Sequence, residues 1–218
     1  MASATAVRKR TRTSAAAHRR VKRTTITRSS APAPRVTKMV YSFGNRKAEG
    51  DGSQRELLGG KGAGLAEMTR IGLPVPPGFT ITTEACAEFY SQGKKWPKGL
   101  EAQVRGHLQL LEQTCRKKLG DAKNPLLVSV RSGAARSMPG MMETILNLGL
   151  NDVSVEGLAH VTKNPRFAWD SYRRFIQMYS TVVVGLSKDV LEGKLHALKH
   201  GLGVTNDTDI PADMLRQL

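Results

Sequence analysis

The chain has 218 residues, with 34 Lys and Arg against 18 Asp and Glu and a formal net charge of +16 at neutral pH. That excess is local: residues 1–38 hold eleven Lys or Arg and no Asp or Glu, leaving twenty-three basic against eighteen acidic side chains in residues 39–218. A body so mildly basic, in a chain with only 5% aromatic residues, argues against the charge-lined, base-stacking face that nucleic-acid binding requires. No apolar run approaches the ~20 residues of a membrane-spanning helix, the longest patch being Val182-Val183-Val184. Cys86 and Cys115 stand apart with no metal-type spacing and no secretory signal, so they are expected to be buried or idle thiols in a reducing compartment.

Residues 1–38 are rich in Ala, Ser, Thr and Arg, with Pro32 and Pro34 near the end. They lack the apolar content to bury a core and read as a disordered basic tail. A secretory signal needs an apolar stretch of about 7 to 15 residues, and Ser14-Ala15-Ala16-Ala17 is too short to serve. The Met1-Ala2-Ser3 opening and the hydroxyl-rich composition fit an organelle transit peptide. A plastid is the expected destination; the mitochondrion, the cytoplasm and an extension that stays attached are the alternatives. Residues 39–218 suffice for one core.

Within that body residues 41–51 are polar and loop-forming, and Glu56-Leu57-Leu58 then feeds Gly59-Gly60-Lys61-Gly62-Ala63-Gly64 into a helix over residues 65–71. The prolines of Leu73-Pro74-Val75-Pro76-Pro77-Gly78 end it. Phe79-Thr80-Ile81-Thr82 reads as a short strand, and Thr83 as the N-cap of a helix through Ala85, Phe89 and Tyr90 with Glu84 in its first turn. A second helix is expected over residues 99–119. Leu126-Leu127-Val128-Ser129-Val130 reads as a central strand buried on both faces, ending at Arg131 and opening onto a loop over residues 132–140. Tyr172, Ile176, Tyr179 and Val183 recur at helical spacing, with Arg173 and Arg174 to one side. Asp207-Thr208-Asp209-Ile210-Pro211 reads as a helix start, and with only seven residues following, the chain is expected to be cut from a longer protein.

Chemistry concentrates in two places. In Gly59-Gly60-Lys61-Gly62-Ala63-Gly64 the glycines let backbone amides turn toward an anion, the following helix adds its positive end, and Lys61 adds a full charge; phosphate is the natural ligand. The segment is neither a Walker A loop, which needs Ser or Thr after the lysine, nor a dinucleotide fingerprint, which needs glycine where Leu65 stands. A plain glycine-rich turn remains the competing reading. Arg131, at the end of a strand and ahead of Ser132-Gly133, is placed to meet phosphate oxygens, the alternative being a pair with Glu143. Arg136 is either a third cation for the ligand or a solvated one. Met138, Met141 and Met142, around Pro139-Gly140, read as gap-filling side chains or as a wall for an adenine ring. His18, His107, His160, His196 and His200 are scattered without nucleophile or metal spacing.

Three segments together carry a resemblance: Leu57-Leu58-Gly59-Gly60-Lys61-Gly62 with Leu65-Ala66-Glu67-Met68, then Pro76-Pro77-Gly78-Phe79-Thr80-Ile81-Thr82-Thr83, and finally PLLVSVRSGAARSMPGMMETILNLGL over residues 125–150. With NPRFAWDSYRRFIQMY over residues 164–179, they are similar to the pyruvate, phosphate dikinases across about residues 40–218. The resemblance implies an α/β (α+β) fold holding the N-terminal portion of an ATP-grasp type nucleotide-binding domain, incomplete here. It implies that Gly60, Lys61, Gly62, Arg131, Gly133, Arg136 and Met138 belong to an ATP site. It further implies ATP and phosphate as ligands, Mg²⁺ held by residues outside this chain, pyruvate met through domains not present, and a homo-oligomeric full-length enzyme. In that family ATP, phosphate and pyruvate give AMP, pyrophosphate and phosphoenolpyruvate through a phosphohistidine, and none of the five histidines here has the Thr-Ser-His context. The fragment alone is therefore expected to be inactive. A non-catalytic ATP-binding or dimerisation module, a phosphoenolpyruvate synthase and a glucan water dikinase are the other readings of the same architecture.

Overall fold

The structure is a computed structural model that describes residues 37–133 and 143–218. Its order is β1 (Val40–Phe43), α1 (Arg55–Arg70), β2 (Gly78–Ile81), α2 (Thr83–Ser91), α3 (Leu100–Cys115), β3 (Lys118–Leu119), β4 (Pro125–Leu126), β5 (Val128–Arg131), β6 (Thr144–Leu148), α4 (Ser154–Thr162), α5 (Pro165–Tyr179), α6 (Lys188–Leu202) and α7 (Ala212–Gln217). A π-helical turn, Ser180–Val184, extends α5, and a 3₁₀ turn, Asp207–Asp209, precedes α7. Strands pair only in twos among the described residues: β1 with β2 and β5 with β6 antiparallel, β3 with β4 parallel. The fold is thus mixed helix and small sheet, the α+β arrangement expected.

The first half is organised by the alternation of β1 and β2. Val40 pairs with Ile81 and Tyr41 with Thr80, so side chains one apart point to opposite faces. On one face Val40 and Phe79 join Met39, Ala85, Leu100 and Val104 in a core against α2 and α3. On the other, Tyr41 packs with Leu57, Leu58, Ala63 and Ala66 of α1. His107 of α3 takes an ordinary structural role, its Nδ1 2.7 Å from Ser42 Oγ. The expected loop over residues 41–51 is corrected at its start, where Tyr41, Ser42 and Phe43 belong to β1; the turn follows, with Asn45 and Arg46 at positive φ.

Two further expectations give way. The helix expected over residues 99–119 is α3, which ends at Cys115, because Arg116 turns left-handed (φ 52°) and Lys118–Leu119 become β3. Glu112 secures that exit by accepting the amide of Leu119 at 2.9 Å. The run Leu126–Val130 is not one central strand buried on both faces. It splits at Leu127: Leu126 pairs with Leu119 and is buried, whereas Val128 onward pairs with β6 and lies toward solvent, Val130 being 47% exposed. Both cysteines are free, as expected of thiols without a partner, but Cys86 is exposed rather than buried.

The second half is helical. Leu150, Val155, Leu158, Ala159 and Ala168 form its core, flanked by Trp169, Tyr172 and Phe175. The Tyr172 stripe therefore marks an amphipathic helix as expected, although it loosens toward its end, with Val183 54% exposed. The Tyr172 hydroxyl donates to Asp152 at 2.8 Å, and burial with this acceptor pushes the phenol up to about 12. Arg173, nearly buried, pairs with Asp170 at 2.7 Å and reaches Asp207 at 3.4 Å, while Lys199 of α6 meets Asp207 at 3.0 Å. Asp207 thus ties α5 and α6 to the turn ahead of α7, where Ile210 is fully buried. The expected helix start at residues 207–211 resolves into that turn followed by Pro211 as the N-cap of α7.

The hydrogen bond from Lys199, against the opposing cost of burial and with help from the charges of Lys199, Arg173 and Arg174, holds the Asp207 carboxyl below the usual aspartate range. A carboxyl with a lowered folded pKa stabilises the fold above the unfolded value of about 4 and loses that contribution as pH falls through the folded value. Asp207→Asn is expected to lower stability at pH 7 and to flatten the loss of stability on acidification below about pH 4, as read by urea unfolding at a series of pH values. Parallel wild-type and variant curves across that range would refute this.

Candidate functional site

The glycine segment is a helix with a fault in it. α1 starts at Arg55, five residues ahead of the expected loop's second glycine, and runs through the glycines to Arg70, interrupted at one residue: Gly59 has φ 71° and ψ 163°, a backbone open in practice only to glycine. The expected six-residue loop is thereby corrected to a single break, because Gly60 to Gly64 retain helical backbone once the chain has turned. The break divides α1 into a short first segment and a longer second one that starts afresh at Gly60. A fresh start presents amides without i−4 acceptors, and the positive end of the helix sits with them. Lys61 stands in the first turn of that second segment.

The glycines differ in what they are for. A Cβ on Gly62 would meet Thr80 Cγ2 at 2.7 Å, Thr80 Oγ1 at 3.0 Å and Leu58 Cβ at 3.2 Å, so the helix lies directly on β2 there. At Gly60 and Gly64 nothing among the described residues comes within 4 Å of such a Cβ. Gly60 is exposed at the helix start, where a bare backbone admits close approach of a ligand.

Arg131 and Gly133 lie at the far end of β5, and the structure brings that end to the helix start. Lys61 Nζ donates to the carbonyl of Ser132 at 3.0 Å, joining positions 71 residues apart in sequence. Arg131 is exposed, and no carboxylate pairs with it among the described residues; Glu143 instead accepts the Ser132 amide through its backbone carbonyl at 3.3 Å. Four of the expected site residues, Gly60, Lys61, Arg131 and Gly133, are thus gathered around one carbonyl and one helix start, with Gly62 beneath. Arg136 and Met138, like Met141 and Met142, lie outside the described residues. An ammonium, a guanidinium and backbone amides are donors for anions and do not suit Mg²⁺; among the described residues no group of His, Cys, Asp or Glu is arranged to hold a metal.

Threonines at the junction of β2 and α2 complete the geometry, and sequence reasoning assigned one of them wrongly. Thr82, not Thr83, caps α2, accepting the Ala85 amide at 3.2 Å. Thr83 instead turns its hydroxyl back onto α1, donating to the Glu56 carbonyl with that of Leu57 3.3 Å away. The run Thr80-Ile81-Thr82-Thr83 was the available signal, since three hydroxyls in four residues exceed what one cap requires. A separate cleft of about 380 Å³ opens between α5, α6 and α7, lined by Trp169, Tyr172, Leu191, Lys194 and Arg216 among others. None of the expected site residues lines it.

Residues 55–96 match the family model described as pyruvate phosphate dikinase, AMP/ATP-binding domain. The break, Lys61 and the threonine junction therefore sit in sequence of a nucleotide-binding class. Over 183 residues the chain is 56% identical to a pyruvate, phosphate dikinase of Clostridium symbiosum, covering 84% of this chain and 20% of that protein. It is 53% identical over 177 residues to one of Rhizobium meliloti, covering 81% and 20%. With the chloroplastic pyruvate, phosphate dikinase 1 of Oryza sativa subsp. japonica it shares 51% over 189 residues, covering 87% and 20%. The chain is thus similar over most of its length to the pyruvate, phosphate dikinases and spans about a fifth of the length of these relatives.

The contrast between glycines is measurable. Gly62→Ala is expected to cost about 1–3 kcal/mol by overpacking onto Thr80, and Thr80→Ser, which removes the nearest methyl, to recover part of it. Gly64→Ala, with open space and no positive φ, is expected to stabilise by roughly 0.4–1 kcal/mol. Denaturant titration of the four proteins checks both; equal effects at positions 62 and 64 would contradict the geometry.

Proposed function

We propose that this chain forms one wall of the ATP site of a pyruvate, phosphate dikinase, with the phosphates held between the helix start at Gly60 and the end of β5. The observation that carries the reading is the Lys61–Ser132 contact, which unites two cationic segments that the sequence keeps far apart. Lys61 is tethered by a neutral carbonyl rather than a carboxylate, so its charge is not cancelled and its ammonium can exchange that acceptor for a phosphate oxygen. Arg131 supplies a planar fork suited to two phosphate oxygens. The amides of Gly60 and Lys61, with the positive end of the second helical segment, add fixed donors. Such groups act in phosphoryl transfer by orienting the chain of phosphates and by neutralising charge that grows on the bridging oxygens as the bond breaks.

The domain is of the ATP-grasp type in this reading, with residues 1–38 a transit tail and residues 39–218 the first part of the nucleotide-binding domain. Gly133, Arg136 and Met138 extend the same wall, the methionine against the base. The whole enzyme converts ATP, phosphate and pyruvate to AMP, pyrophosphate and phosphoenolpyruvate through a phosphohistidine beyond this chain, and works as a homo-oligomer. Mg²⁺ would neutralise phosphate charge, with ligands supplied from outside the cationic wall described here. Relatives named as chloroplastic in rice, Zea mays and Mesembryanthemum crystallinum support a plastid form.

Lys61→Ala and Arg131→Ala are each expected to weaken ATP binding by about 10- to 100-fold, the worth of one charge-assisted hydrogen bond, with the melting temperature unchanged. Gly60→Ala is expected to weaken it as well while leaving stability intact, since its Cβ meets no described residue. Isothermal titration with ATP measures all three; wild-type affinity in Lys61→Ala would defeat the reading.

A further inference from the structure

The break at Gly59 leaves two sets of backbone groups without helical partners, and only one set faces the proposed ligand. By turning the chain at φ 71° and ψ 163°, it carries the amides of Gly60 and Lys61 away from their i−4 acceptors, the carbonyls of Glu56 and Leu57. The amides are available to phosphate. The carbonyls point the other way, and if nothing held them the segment could close the fault by straightening toward a continuous helix, since every residue on either side already has helical backbone.

Thr83 meets those two carbonyls. Its hydroxyl donates to Glu56, with Leu57 3.3 Å off, across 27 and 26 residues of sequence. The donor is itself fixed: the Thr82 amide donates to the Met39 carbonyl at 2.9 Å, prolonging the β1–β2 ladder by a residue, and the fully buried Thr82 hydroxyl caps α2. Thr80, two residues before, lies under Gly62 on the far side of the fault. One strand-to-helix junction thus grips both halves of α1, by a hydrogen bond before Gly59 and by packing after it.

We infer that Thr83 is a positioning residue for the nucleotide site, keeping the α1 fault open by occupying the Glu56 and Leu57 carbonyls so that the Gly60 and Lys61 amides stay turned toward phosphate. This rests on the phosphate reading of that helix start, but the hold on the fault can be measured without a nucleotide. Thr83 touches no ligand in this account; its effect passes through the backbone of residues 56–61. Serine keeps the hydroxyl, and valine keeps the shape and loses the donor.

The test compares Thr83→Val, Thr83→Ser and wild type in the full chain. Amide hydrogen exchange over residues 58–66 without nucleotide is expected to be about fivefold faster in Thr83→Val and unchanged in Thr83→Ser, with the exchange of α5 unaffected in both. ATP affinity is expected to fall about threefold to tenfold in Thr83→Val and to return in Thr83→Ser. Equal exchange in wild type and Thr83→Val overturns the inference, as does normal ATP affinity in Thr83→Val where Lys61→Ala binds poorly. Normal binding in Lys61→Ala would instead remove the phosphate reading, and faster local exchange in Thr83→Val would then still support its grip on the fault.

Discussion

A single backbone conformation governs the site: Gly59 at φ 71° and ψ 163°. Any Cβ there would be strained, and in its absence the chain can leave one helical segment and begin another within one residue. Everything proposed for the glycine segment follows from that step. Without it Gly60 and Lys61 would spend their amides on Glu56 and Leu57, and Lys61 would project from the middle of a helix, where the dipole offers an anion nothing. The break costs helical hydrogen bonds, and the structure offsets this from outside the helix, through the Thr83 hydroxyl on one side and the packing of Gly62 on Thr80 on the other.

The β1–β2 ladder makes those supports possible. Because Tyr41 and Thr80 share the face turned to α1 while Val40 and Phe79 share the face turned to α2 and α3, one two-stranded ribbon underlies the glycine segment and anchors the junction at Thr82 and Thr83. A two-stranded ribbon is marginal alone; here both faces are covered by helices, which gives the short strands a defined register. The register in turn sets which threonine meets which part of α1, since a slip of one residue would send Thr80 to the opposite face.

Legibility in the sequence followed the locality of each signal. The cap before Ala85, the proline stop after Ile71 and the aromatic stripe of α5 depend on neighbours within one or two turns, and they were readable to within a residue or so. β1 was not, because Val40-Tyr41-Ser42-Phe43 is short and finds its partner only after α1 has intervened. Leu126–Val130 misled for a related reason: an apolar run states that burial is favourable but not that the chain divides it between two ladders at Leu127. The glycine segment was legible as a stretch set apart from its neighbours by composition. Its form was not, because glycines cost a helix about 1 kcal/mol each and so imitate a loop even where only Gly59 departs from helical backbone. Nothing local connects Lys61 to Ser132; that contact exists only once the two halves of the domain have packed.

Charge placement separates this site from the rest of the body. Elsewhere many of the cations are spent on carboxylates: Lys38 on Glu49, Arg70 on Asp51, Arg105 on Glu101, Arg173 and Arg174 on Asp170, and Lys199 on Asp207. Such pairs cancel the local field and leave little to draw an anion. Lys61 instead meets a neutral carbonyl, and Arg131 has no carboxylate partner among the described residues. With a helix start between them, neither cation has a carboxylate partner among the described residues, which a fold tolerates at modest expense only where solvent reaches the groups, as it does for the exposed Arg131. A near balance of charge in residues 39–218 therefore conceals a local imbalance, which the phosphate chain proposed for this site would offset.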